Sequence, residues 1–364
     1  MATLLKLRAK LFLIAIILSV LVGCSHMTHS THQLVAGASG KVQEKAYIFD
    51  VEVSGQPKSE LMGVFLAAPN SENRPVVLMV PGAGNSTFLG RQKSNGAHTY
   101  SKPLNITQMW AHELADAGFS SFSYNKRTCR AGQDHLCRNN AVRDIYKNGP
   151  IALAEDVDAA CRMLRRDLGI PSEKIILWTH GQGGQVVLSS ECGRRAKVVL
   201  ITSPMTDRVD LVLVRTLHHR ASLLRAEAAT ALGVKQKSLR EKARNISNRA
   251  ESFKATFLSI ESDRFIDTAS FLGVPLTFWY GWRKSTEDID LQLAKQQGQV
   301  VLFQGENDTN YSDEDQRNLL RFGKIRNVKL VQIPGADHYL IEQNKISASA
   351  SHLAIEALMQ AWEN

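Results

Sequence analysis

The sequence has little cysteine, five in 364 residues. A disulfide-built scaffold needs far denser cysteine in a much shorter chain, so that class is excluded. No C-x-x-C pair and no paired-histidine spacing occurs. A zinc site therefore has no ligand set, and neither a metal nor a cofactor is expected. There is no internal repeat and no low-complexity block. An apolar fraction of 44% and a charged fraction of 22% lie near globular averages. A disordered tail, a collagen-like fibre and a polytopic membrane protein are excluded on the same figures. The length fits one large domain or one domain with an insertion. The one unusual figure is a formal charge of +9, which invites an anionic partner once it is located along the chain.

Three of those charges, Lys6, Arg8 and Lys10, form a basic stretch ahead of an apolar run, Leu11–Val22. Its twelve residues are too few to span a bilayer comfortably and suit the core of a signal peptide. The run ends in Leu21-Val22-Gly23-Cys24, which resembles a bacterial lipobox. That resemblance implies cleavage of residues 1–23, a diacylglycerol on the Cys24 sulfur, and a lipid anchor in the cell envelope. With Ser25 next, it implies the outer membrane facing the periplasm. Residues 24–43 are rich in Ser, Thr, His and Gly and read as a flexible tether. In an exported chain disulfides persist. Cys129 and Cys137 flank a short polar segment and could bridge, stabilising by about 2–3 kcal/mol. Cys161 and Cys192 read as buried free thiols on helices.

Eight runs read as strands: Ala46–Val53, Met62–Ala67, Val76–Val80, Phe119–Tyr124, Ile175–Trp178, Val198–Thr202, Val300–Phe303 and Val328–Ile333. The later ones are short and apolar on both faces, as in a buried parallel sheet. Helical patterns lie between them, over Asn105–Ala117, Ile151–Leu168, Gly183–Glu191, Asp313–Phe322 and Ser347–Trp362. Alternation of this kind predicts an α/β fold with its ligand at the carboxyl ends of the strands. Between Pro204 and about Gln296 the rhythm breaks. There Leu211–Leu232 and Lys235–Phe257 read as helices of an inserted cap. The aromatic group Phe278, Trp279, Tyr280 and Trp282 reads as core packing.

The segment Ile175-Ile-Leu-Trp-Thr-His-Gly-Gln-Gly-Gly184 runs from strand through a tight turn into a helix. It resembles the nucleophile elbow of the α/β-hydrolases, G-x-S-x-G. Thr179 stands at the first glycine and Gly181 at the serine. Further along, Phe303-Gln-Gly-Glu-Asn-Asp308 resembles the acid loop, and Ile333-Pro-Gly-Ala-Asp-His338 the histidine loop. The order of elbow, acid and histidine is the family's. Val80-Pro-Gly-Ala-Gly-Asn85 resembles the oxyanion loop, implying Ala83 and Gln182 N–H as donors. Tyr124-Asn-Lys-Arg127 resembles the D-x-R-G stretch, with Asn125 and Thr128 departing from it.

The resemblance covers residues 44 to 364. It implies a mostly parallel eight-stranded sheet with flanking helices. The core would span 44–205 and 296–364, with a helical cap at 206–295. Family chemistry runs through an acyl-serine, and glycine has no atom to form that bond. Thr179, Ser189, Ser190 and Cys192 are placed too early or too far along to substitute. Two readings stay open. One is a pseudoenzyme that keeps the Asp308–His338 pair, the oxyanion loop and a pocket for a small acyl or peptide ligand. The other is a hydrolase of esters or amides in which that pair activates a water.

The charge has a location. Residues 206–256 hold eleven Lys and Arg against five acids, an excess of six. With the signal peptide removed, that is the whole excess of the mature chain. A solvated helix face, contact with an anionic membrane surface and recognition of an anionic ligand all fit. Nucleic acid is not expected, because no binding module is recognisable.

Overall fold

The computed structural model describes residues 42–52, 59–83, 87–92, 103–127, 149–259, 270–271 and 274–363. Cys24 and the expected Cys129–Cys137 pair lie outside the described residues.

Eight strands build the central sheet: β1 (Gln43–Val51), β2 (Ser59–Ala67), β3 (Val76–Val80), β4 (Ser120–Tyr124), β5 (Ile175–His180), β6 (Val198–Thr202), β7 (Gln299–Gly305) and β8 (Val328–Ile333). Their order is β1-β2-β4-β3-β5-β6-β7-β8. β2 runs antiparallel to both neighbours, and every pairing from β4 to β8 is parallel. The expected α/β fold is therefore present, with each strand where its apolar run was read. β3 and β6 are buried along their whole length, because helices cover both faces of the sheet. β1 and β2 form an edge ladder of nine residues each, with exposed and covered positions interspersed.

The helices are α1 (Ile106–Asp116), α2 (Ala154–Leu168), α3 (Gly183–Ser189), α4 (Glu191–Arg195), α5 (Val209–Thr230), α6 (Gly233–Ser259), α7 (Leu276–Ser285), α8 (Ile289–Ala294), α9 (Asp313–Phe322) and α10 (Ala348–Glu363). One face of the sheet packs Val157 and Leu164 of α2 with Val187 of α3. The other packs Trp110 and Leu114 of α1 with Ala354 and Leu358 of α10.

α5 and α6 form a helical hairpin, tied by Lys235–Glu227 at 3.1 Å and His218–Glu251 at 3.2 Å. Phe253 and Phe257 of α6 meet the Trp279 ring edge-on at 5.7 and 5.8 Å. Phe278, Trp279 and Trp282 are buried, so the aromatic group packs a core as expected. Among the described residues no helix is long and apolar enough to cross a membrane.

Two sequence readings change here. The helix read over Gly183–Glu191 ends at Ser189, and a separate helix starts at Glu191. Ser190 ends α3 and caps α4 by accepting the Gly193 N–H at 2.8 Å, since a serine hydroxyl competes well for the amides of a first turn. Cys161 and Cys192, read as free thiols, are joined in a disulfide with Cα atoms 6.5 Å apart. The Asp158 carboxylate on α2 accepts the Glu191 and Cys192 N–H groups at 3.2 and 2.7 Å. That contact holds the start of α4 against α2 and brings the two sulfurs together. With a separation of 31 residues, loop-closure entropy puts the stabilisation at about 3–4 kcal/mol.

Candidate active site

The turn between β5 and α3 is built from backbone requirements. Gly181 has φ +53°, a left-handed conformation that glycine adopts without a Cβ penalty. Its N–H donates to Thr202 O at 2.9 Å, and its carbonyl accepts Gly184 N–H at 3.0 Å. Among the described residues, and its chain neighbours apart, a Cβ built on Gly181 would meet nothing nearer than Ser203 O at 4.0 Å. The apex of the turn is thus bent to present a side chain into open space and carries none. Gly183 is the opposite case. A Cβ there would lie 1.9 Å from Thr179 Oγ1 and 3.0 Å from Pro81 O. The Thr179 hydroxyl donates to Val80 O at 3.1 Å and fills that gap.

Asp308 sits in the loop after β7 and His338 in the loop after β8. His338 Nδ1 donates to Asp308 Oδ2 at 2.7 Å. Asp308 also accepts from Asn310 N at 2.9 Å, Gln304 Nε2 at 3.1 Å and Ser203 Oγ at 3.3 Å. Burial pushes this carboxyl up, but the charge and hydrogen bond of His338 and the two amide donors bring it down to about 2. The carboxylate is therefore held charged against its desolvation.

Ala83, Gly181, Gln182 and His338 line one cavity of about 400 Å³ at the carboxyl ends of the strands. Asp308 stands behind His338. The Gln182 N–H goes to no backbone carbonyl among the described residues, as an oxyanion donor requires. Among the described residues no cluster of His, Cys, Asp or Glu is placed to hold a metal ion.

Four residues that the sequence reading gave no role complete the geometry. Ser203 has φ +48° and donates to His338 O at 2.6 Å. His180 Nε2 bonds the same carbonyl at 3.1 Å, and its ring stacks on Tyr339 at 4.8 Å. Lys126 lies beneath the turn and donates to Gly82 O at 2.7 Å and Gln182 Oε1 at 3.0 Å. It joins the oxyanion loop to the elbow from below. Burial lowers this amine to about 8, with Asp156 acting against the shift. Arg220 of α5 bonds Asn310 Oδ1 and reaches the cavity wall. Lys126 stands in the quoted Tyr124–Arg127 stretch, which was its only signal. Ser203 left none, and Arg220 stood only in the basic count over 206–256, because their partners meet them only in the fold.

No substitute nucleophile emerges among the candidates. Thr179 bonds Val80 O, Ser190 caps α4, Cys192 is in the disulfide, and Ser189 is not on the cavity wall. Ser203 Oγ is turned to the His338 carbonyl and the Asp308 carboxylate.

No family profile matches the chain, and no curated protein matches its sequence. Solved structures do. Proline iminopeptidase from Mycobacterium smegmatis aligns with a TM-score of 0.51 and 13% identity over 87% of this chain and 99% of that one. DcsB, solved with its substrate analogue, aligns with a TM-score of 0.50 and 16% identity over 87% and 99%. At such identities the likeness speaks for architecture alone. The strand order, the antiparallel β2, the bent turn after β5 and these two likenesses together give the chain the α/β-hydrolase fold.

Proposed function

We propose that this chain is a lipid-anchored envelope protein whose α/β-hydrolase fold binds a small acyl or peptide ligand without forming an acyl-enzyme. One observation carries the reading. The elbow keeps its bend at Gly181 and has no side chain there. A covalent intermediate has no atom to form on, while the cavity and its polar groups persist. The test is hydrolysis of short acyl esters and aminoacyl amides by the purified mature chain beside His338→Ala. The expected outcome is equal, background rates for the two proteins.

A second reading has its own support. His338 and Asp308 remain paired at 2.7 Å, and the missing side chain leaves space beside them. A water there could be deprotonated by His338 for direct attack on an ester or amide. Turnover in the natural chain that disappears in His338→Ala would establish this reading and overturn the first.

Export and anchoring are supported by the Leu21–Cys24 motif and by the Cys161–Cys192 disulfide, a cross-link that persists in oxidising compartments. Metabolic labelling with a fatty acid is expected to mark the natural chain and to fail on Cys24→Ser. Equal labelling of both would remove the lipobox assignment.

A further inference from the structure

The excess positive charge of the cap divides when its partners are traced. Arg208 pairs with Asp210 at 2.7 Å. Arg215 bridges Asp207, Glu314 and Asp315 at 2.7 to 3.1 Å. Arg220 and Arg249 are different. Both line the cavity, and among the described residues neither has a carboxylate within ion-pair distance. Arg220 is held in place by Asn310 Oδ1, while its buried Nε has no hydrogen-bond partner. Asn310 in turn donates its N–H to Asp308 at 2.9 Å and accepts Thr216 Oγ1 at 2.7 Å. The guanidinium is therefore fixed to the same loop that carries the acid of the pair. Asp308 attracts the guanidinium from outside ion-pair distance, and its oxygens take four other donors. Burial pulls the Arg220 pKa below its ordinary value, and Arg249 adds repulsion, against the pull of Asp308 and Tyr339. A half-buried cation beside a second cation is an unfavourable arrangement that a bound anion relieves.

The remaining wall is apolar. Met205, Val212, Leu213, Leu217, Phe253 and Trp282 line it. A cavity of about 400 Å³ with an apolar wall and a few convergent polar groups suits a small ligand.

We infer that the cavity binds an anionic amphiphile: Arg220 and Arg249 hold its carboxylate or phosphate head, and the apolar wall holds its body. The inference rests on the ligand-binding reading and adds the chemical class. It also settles what part of the cap charge is for. Two of its arginines face the ligand, and the others serve ion pairs or solvent. Arginine suits this role because its planar fork meets two oxygens of either head group at once.

The test is calorimetric titration of the full mature chain with octanoate, octyl phosphate and 1-octanol at low ionic strength. Both anions are expected to bind at least about tenfold more tightly than the alcohol, as charge-assisted hydrogen bonds imply. The ratio between the two anions identifies the preferred head group. Arg249→Gln and Arg220→Gln should each reduce the anion's advantage by about tenfold and leave 1-octanol unchanged. Arg249 is exposed, so its variant keeps the fold and carries the test if Arg220→Gln does not. Equal binding of octanol and the anions, with no effect of either substitution, overturns the inference and leaves the ligand-binding reading standing. Failure of all three to bind overturns the inference outright. Histidine-dependent hydrolysis of an octanoyl ester, with the anion preference intact, removes the non-catalytic reading and leaves the arginine site in place.

Discussion

Gly181→Ser is expected to acquire ester hydrolysis at least about 10³-fold above the natural chain, and to be labelled by a fluorophosphonate that leaves the natural chain unmarked. The reasoning is geometric. A nucleophile needs a bent turn, an activating base, an orienting acid and donors for the oxyanion. The bend exists at φ +53°, and among the described residues, its chain neighbours apart, only Ser203 O comes within 4.0 Å of the new Cβ. The base and acid are joined at 2.7 Å. In a worked serine protease, removing the serine alone costs about 10⁶ in kcat, so recovering a small part of that factor meets the expectation. The serine would sit in a left-handed conformation at a cost of about 1–3 kcal/mol, and a lower melting temperature should accompany the gain. A folded Ser variant that is neither labelled nor faster than its parent would mean that the site has decayed beyond its nucleophile. Labelling of the natural chain would place the elbow elsewhere.

Arg127→Met is expected to destabilise the fold by about 3–5 kcal/mol at pH 7.5, read as the urea midpoint. Arg127 and Asp156 are paired with side chains each about 1% exposed, and Arg127 also donates to Ala152 O. Removing the cation leaves a buried carboxylate without its partner. Burial raises Asp156 to about 6 even though Arg127 pulls it down by charge and hydrogen bonding. The sign follows from that direction. A carboxyl with a raised folded pKa binds more protons in the folded chain. Its stabilising contribution is full below about pH 4 and is lost as the pH rises through 6. Without Arg127 the folded pKa climbs further, so the loss extends to higher pH. The variant should therefore lie nearest its parent in acid and furthest from it at neutral pH. Arg127→Met with Asp156→Asn should recover more than half of the deficit. A deficit that is the same at pH 5 and pH 7.5 would show that packing, and not the orphaned charge, sets the cost.

The sheet was legible because burial on both faces leaves an unmistakable residue choice. Val76–Val80 and Val198–Thr202 fall where their apolar runs begin and end. Gly181, Asp308 and His338 were legible because each stands in a short motif just past a strand. What could not be read depends on contacts between distant segments. Cys161 and Cys192 meet only because Asp158 holds one helix against the next. Ser203 matters through a loop 135 residues further along the chain. Its role lies in its backbone angle and in where its hydroxyl points, and neither leaves a trace in composition. Arg220 was counted among the basic residues of the cap, but the absence of a carboxylate partner for it among the described residues is a property of its surroundings. The helix break at Ser190 was missed because a single capping hydroxyl decides it.

Thr179 and Gly183 carry a consequence for how such a turn changes in descent. The hydroxyl of the first occupies the volume that a Cβ on the second would need. With threonine at 179 only glycine fits at 183, and Pro81 O, 3.0 Å from the same point, narrows the space further. A lineage that departs from the elbow signature at its opening glycine becomes committed to glycine at its close. The pattern of letters is then broken while the path of the backbone is unaltered, and a search for the five-residue signature passes over a turn that still stands.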